Sequence, residues 1–333
     1  MVRWLAALLL FVTGVSPCAR IPPPGPGGLF LPPLTASILD HIYSGRPDLA
    51  IPEARQLQQQ QPNQPLGYLL EAEALWWSIW CTSADYRYGM TMARHREKQA
   101  ADQPYLNLAT KAYVLADAQL KQHETGEMNL YAAMADSLQA RLYGLRWENR
   151  ATARAGVRAR EHFERALALD PSLADAYLGL GLYNYYVDTL STMARVLRFM
   201  MGILGGSKED GIRQLHLAMH YGQLTPPAAR FYLAINLHNY DQRYEEALQV
   251  LRPLVEEYPQ NPLFQLAIGD LYAKLGRKPA ALEAYQAAAA SPNMAEPACQ
   301  RKIQSLVQAS LASLRGAALP GHCRTFFQRR AAQ

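Results

Sequence analysis

The chain has 333 residues but only four cysteines, and no two of them stand in a C-x-x-C pair, so neither a zinc ribbon nor a dithiol redox motif is present. Alternating Val, Thr and Ile are nearly absent, which argues against strands. The segment Gly202 to Lys208 is glycine-rich and ends in Ser-Lys, but it lacks the G-x-x-x-x-G-K-[ST] order and no strand precedes it, so it reads as a turn. Acidic residues stop at Glu296, while Arg301, Lys302, Arg315, Arg324, Arg329 and Arg330 follow. The tail 316–333, which also carries Phe326 and Phe327, reads as solvated helix end, with contact to anionic lipid or an acidic partner as the alternative. Formal net charge is +5 with 18% charged residues, a mild balance, and no nucleic-acid-binding motif accompanies it; nucleic acid is excluded as the expected partner.

Apolar residues make up half of the chain, and they are spaced for helices. Between Pro262 and Asn293, the residues Ile268, Gly269, Tyr272, Gly276, Ala281, Tyr285 and Ala288 stand at the intervals of paired antiparallel helices. Gly269 and Ala281 are expected where two backbones cross closely, with Tyr272 and Tyr285 filling the flanks and Gly276 making the turn. Ala247 precedes Ala281 by one repeat length of about 34 residues. Leu251 and Leu254 take the large positions, and Asn261 with Pro262 reads as N-cap and first turn. Ala159, Phe163 and Ala166 repeat the second-helix pattern, and Tyr177, Leu180 and Gly181 begin the next first helix. One unit is stretched: Gly211, Leu215 and Ala218 come about half a repeat late. The extra chain, Ser191 to Gly206, is expected to extend the first helix, and Ser207 with Asp210 to start the next. Long helices are expected at Pro65 to Lys98 and Glu127 to Asn149.

The Ala-Leu-Asp-Pro at Ala168 to Pro171, Gly-Leu-Gly-Leu-Tyr-Asn-Tyr-Tyr at Gly179 to Tyr186, Gly-Gly-Ser-Lys-Glu-Asp-Gly at Gly205 to Gly211 and Tyr-Pro-Gln-Asn-Pro at Tyr258 to Pro262 resemble bacterial secreted tetratricopeptide-repeat proteins. The same stretch is similar, at greater distance, to the eukaryotic inclusion-body-clearance group, also called tetratricopeptide repeat protein 39. The resemblance implies an all-helical interaction protein without a catalytic site; it brings no substrate and no partner. The expected fold is all-α, a right-handed superhelical solenoid of tetratricopeptide-like helix pairs over residues 35–315, with one unit stretched.

Arg3, the apolar run Trp4 to Val15 and the small residues Gly14, Ser16 and Ala19 read as a secretory signal peptide over residues 1–19. Export to the periplasm or beyond is the expectation. Cys18 sits in a degraded lipoprotein box spoiled by Pro17, so lipid anchoring is not favoured. Residues 20–34, rich in Pro and Gly, are expected to form an extended tether without core contacts. Of the remaining thiols, Cys299 and Cys323 are the candidate disulfide, while Cys81 beside Trp80 reads as core. Trp76 and Trp80 share an apolar stripe with Leu69 and Ala72, which leaves Trp77 on another face.

Catalytic signals are weak and none is assigned. His216 and His220 stand one turn apart, but Leu217, Ala218 and Met219 lie between them where a zinc protease needs its glutamate; His238 is a third ligand only if its helix brings it near. A polar helix face is the reading preferred, without metal or cofactor. The stronger site hypothesis is geometric: first helices line the concave surface, which directs Tyr185, Tyr186, Tyr232, Asn236, Asn239, Tyr240, Asp270 and Lys274 into a peptide-binding groove. The positions that hold cations in chaperone-tail clamps are here Leu178, Tyr232 and Leu266. Repeat packing is assigned to Ala159, Gly181, Gly211, Ala247, Gly269 and Ala281. The expected function is a protein-protein interaction scaffold. The alternatives are a small-ligand or metal carrier or enzyme built around His216 and His220, and an adaptor tethered to a membrane by its N-terminus.

Overall fold

The structure, a computed structural model, describes residues 28–189, 205–294 and 296–316. The signal segment, Ser191 to Leu204, Cys323 and the rest of the basic tail beyond Gly316 lie outside the described residues. Helices α1 (Leu34–Tyr43), α2 (Pro47–Gln60) and α3 (Leu66–Ser83) are followed by strands β1 (Ala84–Tyr86) and β2 (Thr91–Ala93). Then come α4 (Gln103–Leu120), α5 (Gly126–Leu145), α6 (Asn149–Leu169), α7 (Ala176–Thr189), α8 (Lys208–Tyr221), α9 (Pro226–Asn236), α10 (Tyr244–Glu257), α11 (Pro262–Lys274), α12 (Lys278–Ala290) and α13 (Pro297–Leu314).

From α5 onward, consecutive helices pack in antiparallel pairs: α5 with α6, α7 with α8, α9 with α10 and α11 with α12. The result is an all-α solenoid of tetratricopeptide-like pairs. Small residues set the approach within a pair. A Cβ on Gly181 would stand 2.9 Å from the Gly211 carbonyl oxygen, and one on Gly211 would stand 2.7 Å from that of Gly181. The two glycines therefore let α7 and α8 touch backbone to backbone. Ala159, Ala247 and Ala281 are buried on the second helices. Gly269 corrects the expected partner: the atoms facing it are ring carbons of Tyr285, at 2.6 Å from an ideal Cβ, rather than Ala281. The starts follow local chemistry. The Ser207 hydroxyl accepts the Asp210 N–H and the Asn261 carboxamide accepts the Leu263 N–H, each satisfying an N-terminal donor. Pro226, Pro262 and Pro297 open α9, α11 and α13, where a missing N–H costs nothing.

The N-terminal part departs from the simple stack. The helix expected to run from Pro65 to Lys98 stops at Ser83, and a two-stranded antiparallel hairpin follows with Asp85 opposite Met92. Tyr88 and Gly89 both take positive φ (57° and 74°), the geometry of a tight hairpin turn, and the Arg87 N–H donates to the Met90 carbonyl at 2.9 Å. Helix α3 is buried around most of its circumference by the helices packed on it, and its Glu71 and Glu73 are paired with Arg55 and Arg141. Trp77, expected on a separate face, is the most enclosed of its tryptophans. Its ring centroid lies 5.1 Å from that of Phe231 on α9, 5.6 Å from that of Phe264 on α11 and 5.9 Å from that of Tyr43 on α1.

The ends of α3 and α1 are tied to distant chain. Cys81 is bonded to Cys299 on α13 across 218 residues, with Cα atoms 5.6 Å apart. This corrects the expected Cys299 to Cys323 pairing and gives Cys81 a role beyond core filling. The carbonyls ending α1 are held from the C-terminal side: Asn261 Nδ2 donates to Tyr43 O at 2.7 Å, Asn293 Nδ2 to Ser44 O at 2.6 Å, and the Met294 N–H to Gly45 O at 2.7 Å. The supposed tether also docks at its end. Leu29 is buried, its N–H donates to Gln223 Oε1 at 2.6 Å, and its carbonyl accepts from Gln223 Nε2. Downstream of the hairpin, Arg96 and Arg146 converge on the buried Asp102 carboxylate at 2.6 and 2.7 Å, which fixes the return of the chain into α4.

Candidate functional site

Helix α3 and the hairpin pack against α9 and α11, the first helices of two repeat pairs. Tyr232 is buried, and its hydroxyl accepts the Trp76 indole N–H at 2.8 Å. Asp270 is buried with both oxygens engaged, one by the Thr91 N–H at 2.6 Å and the other by the Tyr285 hydroxyl at 2.8 Å. Tyr185 is fully buried; its hydroxyl lies 2.8 Å from Asp241 Oδ2 and 3.1 Å from the Asn236 carbonyl, and Asp241 in turn takes the Lys208 ammonium at 2.5 Å. Asn236 is buried too, accepting the Tyr186 hydroxyl at 3.0 Å through Oδ1, while its Nδ2 meets no partner among the described residues. Of the eight residues expected to line a peptide groove, Tyr185, Tyr232, Asn236 and Asp270 are thus claimed by contacts within the protein. Helix α3 and the hairpin engage Tyr232 and Asp270, while Asp241 engages Tyr185 and Tyr186 engages Asn236.

The other four stand at an open mouth beside the hairpin. Residues Leu237 to Asp241 form a π-helical turn that continues α9 and ends at Gln242 with a φ of 55°. Such turns carry an extra residue and re-aim side chains. Here Asn239 points its Nδ2 at Met92 Sδ, 3.5 Å away, and Tyr240 is half exposed at 50%. The Tyr240 ring lies 6.2 Å from that of Tyr186, itself 38% exposed. On the hairpin side, Lys274 Nζ donates to the Tyr88 carbonyl at 2.6 Å, and Tyr88 is 70% exposed. The Arg94 guanidinium lies 5.5 Å from the Tyr88 ring centroid and faces Tyr240 electrostatically. Tyr88 and Arg94 were missed from the sequence; their signal was the Tyr-Arg-Tyr-Gly run at Tyr86 to Gly89, a turn flanked by aromatics.

Electrostatics divide the face into a settled interior and an unsettled rim. In the interior, Arg141 on α5 donates to Glu73 on α3 at 2.6 Å and packs over the Trp76 and Tyr232 rings at 5.7 and 5.4 Å. Burial pushes the Asp270 carboxyl up to about 7, against the opposing pull of the Thr91 N–H and the Tyr285 hydroxyl. Burial, aided by Lys274, pushes His238 down to about 4, which keeps the ring neutral. At the rim, burial and the neighbouring Arg87 lower Arg94 below its ordinary value.

The histidine pair lies side by side on α8. The His220 Nδ1 lies 2.7 Å from the His216 carbonyl oxygen, the rings are stacked at 6.0 Å, and burial followed by His220 depresses His216. Among the described residues no group of three His, Cys, Asp or Glu is placed to hold a metal, and no helix is long and apolar enough to cross a membrane. A separate cleft of about 670 Å³ beside α2, α3 and α4 has an apolar wall of Ile51, Leu75, Ile79 and Tyr105, and its Arg96 is already committed to Asp102.

Residues 232–295 match the family model described as tetratricopeptide repeat, a span that runs from the end of α9 through α10, α11 and α12. No curated protein matches the chain in sequence. Among solved structures, the crystal structure of yeast Tom70 is similar over 84% of this chain and 89% of that chain, at 10% identity and a TM-score of 0.28.

Proposed function

We propose that this protein is a non-catalytic interaction scaffold of the extracytoplasmic space that takes hold of a polypeptide partner at the mouth formed by Tyr88, Tyr186 and Tyr240. The observation that carries the reading is the contrast on one face. Tyr232 and Asp270 are closed over by Trp76 of α3 and Thr91 of the hairpin, whereas Tyr88, Tyr186 and Tyr240 stay exposed, with Tyr240 meeting Tyr186 on one side and acting on Arg94, which lies over Tyr88, on the other. Tyrosine gives a flat contact surface with little side-chain entropy to lose, which suits partner binding better than core filling. The repeat pairs supply a rigid frame of the kind that serves protein association.

Export is supported by two independent features. The N-terminal Arg3 with Trp4 to Val15 has the layout of a signal peptide, and the Cys81 to Cys299 bond belongs to an oxidising compartment. The test immobilises the full chain, captures proteins from the exported fraction, and repeats the capture with a Tyr186→Ala plus Tyr240→Ala variant and with Trp147→Ala, which removes an exposed tryptophan elsewhere. Loss of the same polypeptides in the double variant alone supports the mouth; retention in all three refutes it. A fusion of the N-terminal segment to a reporter active only outside the cytoplasm tests the export.

A further inference from the structure

Two cations at the mouth, Arg94 and Lys274, form no close ion pair among the described residues, and Asp85 and Asp270 act on them only at longer range. Among the described residues Arg94 makes no ion pair, and its Nε is buried without a hydrogen-bond partner. Lys274 spends one donor on the Tyr88 carbonyl and has none of its other protons on a carboxylate. The acids nearby are engaged: Asp85 is held by Arg87 at 2.5 Å, Asp241 by Lys208, and Asp270 by Thr91 and Tyr285. A guanidinium kept half out of water and unpaired is an unfavourable arrangement that an anion would relieve. The Tyr88 ring centroid lies 5.5 Å from the Arg94 guanidinium and the Tyr244 centroid 6.0 Å from Lys274 Nζ, contacts that hold the two cations in place without neutralising them. Neither cation occupies a clamp position of the repeats; Arg94 follows the hairpin, and Lys274 ends α11.

We infer that the mouth recognises an acidic stretch of the partner, whose carboxylates pair with Arg94 and Lys274 while its backbone lies along Tyr240 and Tyr186. This rests on the partner-binding reading above and adds the chemistry of what is bound. The test measures fluorescence anisotropy of labelled Glu-Gly, Lys-Gly and Ser-Gly repeat peptides with the full chain. The expected result is binding of the Glu-Gly peptide alone, weakened by added salt and weakened about tenfold or more in Arg94→Gln and in Lys274→Gln. Arg252→Gln, a change away from the mouth, is expected to leave it intact. Competition by free glutamate at concentrations equal to the peptide's residues would reveal a site for single anions, and it overturns the inference. So does equal binding of all three peptides, or none. Thermal melts of each variant separate lost binding from lost folding. If Tyr186→Ala plus Tyr240→Ala abolishes partner capture while Arg94→Gln does not, the scaffold reading stands and the acidic specificity falls.

Discussion

The indole N–H of Trp76 reaches the hydroxyl of Tyr232 at 2.8 Å although 156 residues separate them in the chain. That bond joins the inner helix to the first helix of a repeat pair, at the place where a repeat protein ordinarily leaves room for a ligand. Substituting Tyr232 by Phe keeps the ring under Arg141 and strands a buried indole donor. The expected cost is about 1 to 3 kcal/mol in chemical denaturation. Trp77→Ala, which vacates the centre of the aromatic cluster, is expected to cost about 3 to 5 kcal/mol by the same measurement.

The Cys81 to Cys299 bond closes a long loop, and its removal is expected to destabilise the protein by about 2 to 5 kcal/mol. Peptide mapping without reduction should yield a cross-linked pair containing these two residues. A Cys299 peptide joined to Cys323 would contradict the arrangement. Cys323→Ser is expected to melt like the parent protein.

Asp270 gives a pH dependence with a definite sign. Its carboxyl titrates near 7 when folded and at the ordinary carboxylate value when unfolded, so between those two the folded state holds the extra proton. Stability from this group is therefore present at low pH and is lost as pH rises through that window. Melting temperature should fall between about pH 4 and about pH 7, and Asp270→Asn, which keeps an acceptor for Thr91, should flatten that slope.

Glycines at matching places in helices should respond oppositely. Gly181→Ala drives a methyl against the backbone of α8 and is expected to destabilise by about 1 to 3 kcal/mol. Gly156 on α6 has nothing within 4 Å of its would-be Cβ, and Gly156→Ala should stabilise by about 0.5 to 1 kcal/mol. Equal effects in thermal melts would refute the packing account.

The repeat pairs from Ala159 onward were legible because steric spacing is local: Gly181, Gly211, Ala247 and Ala281 must be small wherever two helices cross. The route of α3 was not, since a helix buried by distant elements leaves no periodic stripe. Its real signal was the spread of apolar residues round the helix, with Trp77 as buried as Trp76 and Trp80. The hairpin was hidden for a related reason: three-residue strands are too short for alternation to register, and only the Tyr88-Gly89 turn marks them. Of the expected groove residues, the rings of Tyr185, Tyr186 and Tyr240 meet one another, while Tyr232 and Asp270 are claimed by Trp76 and Thr91 from chain far upstream, which local spacing does not reveal.

Linear arrays of paired helices can lengthen or shorten by whole units, because each unit leans only on its neighbours. Here the carbonyls of Tyr43, Ser44 and Gly45 are gripped by Asn261, Asn293 and Met294, so start and finish are buckled together. A duplicated or deleted pair would carry one half of that buckle out of reach of the other, which makes the number of units in this molecule a fixed property of its geometry.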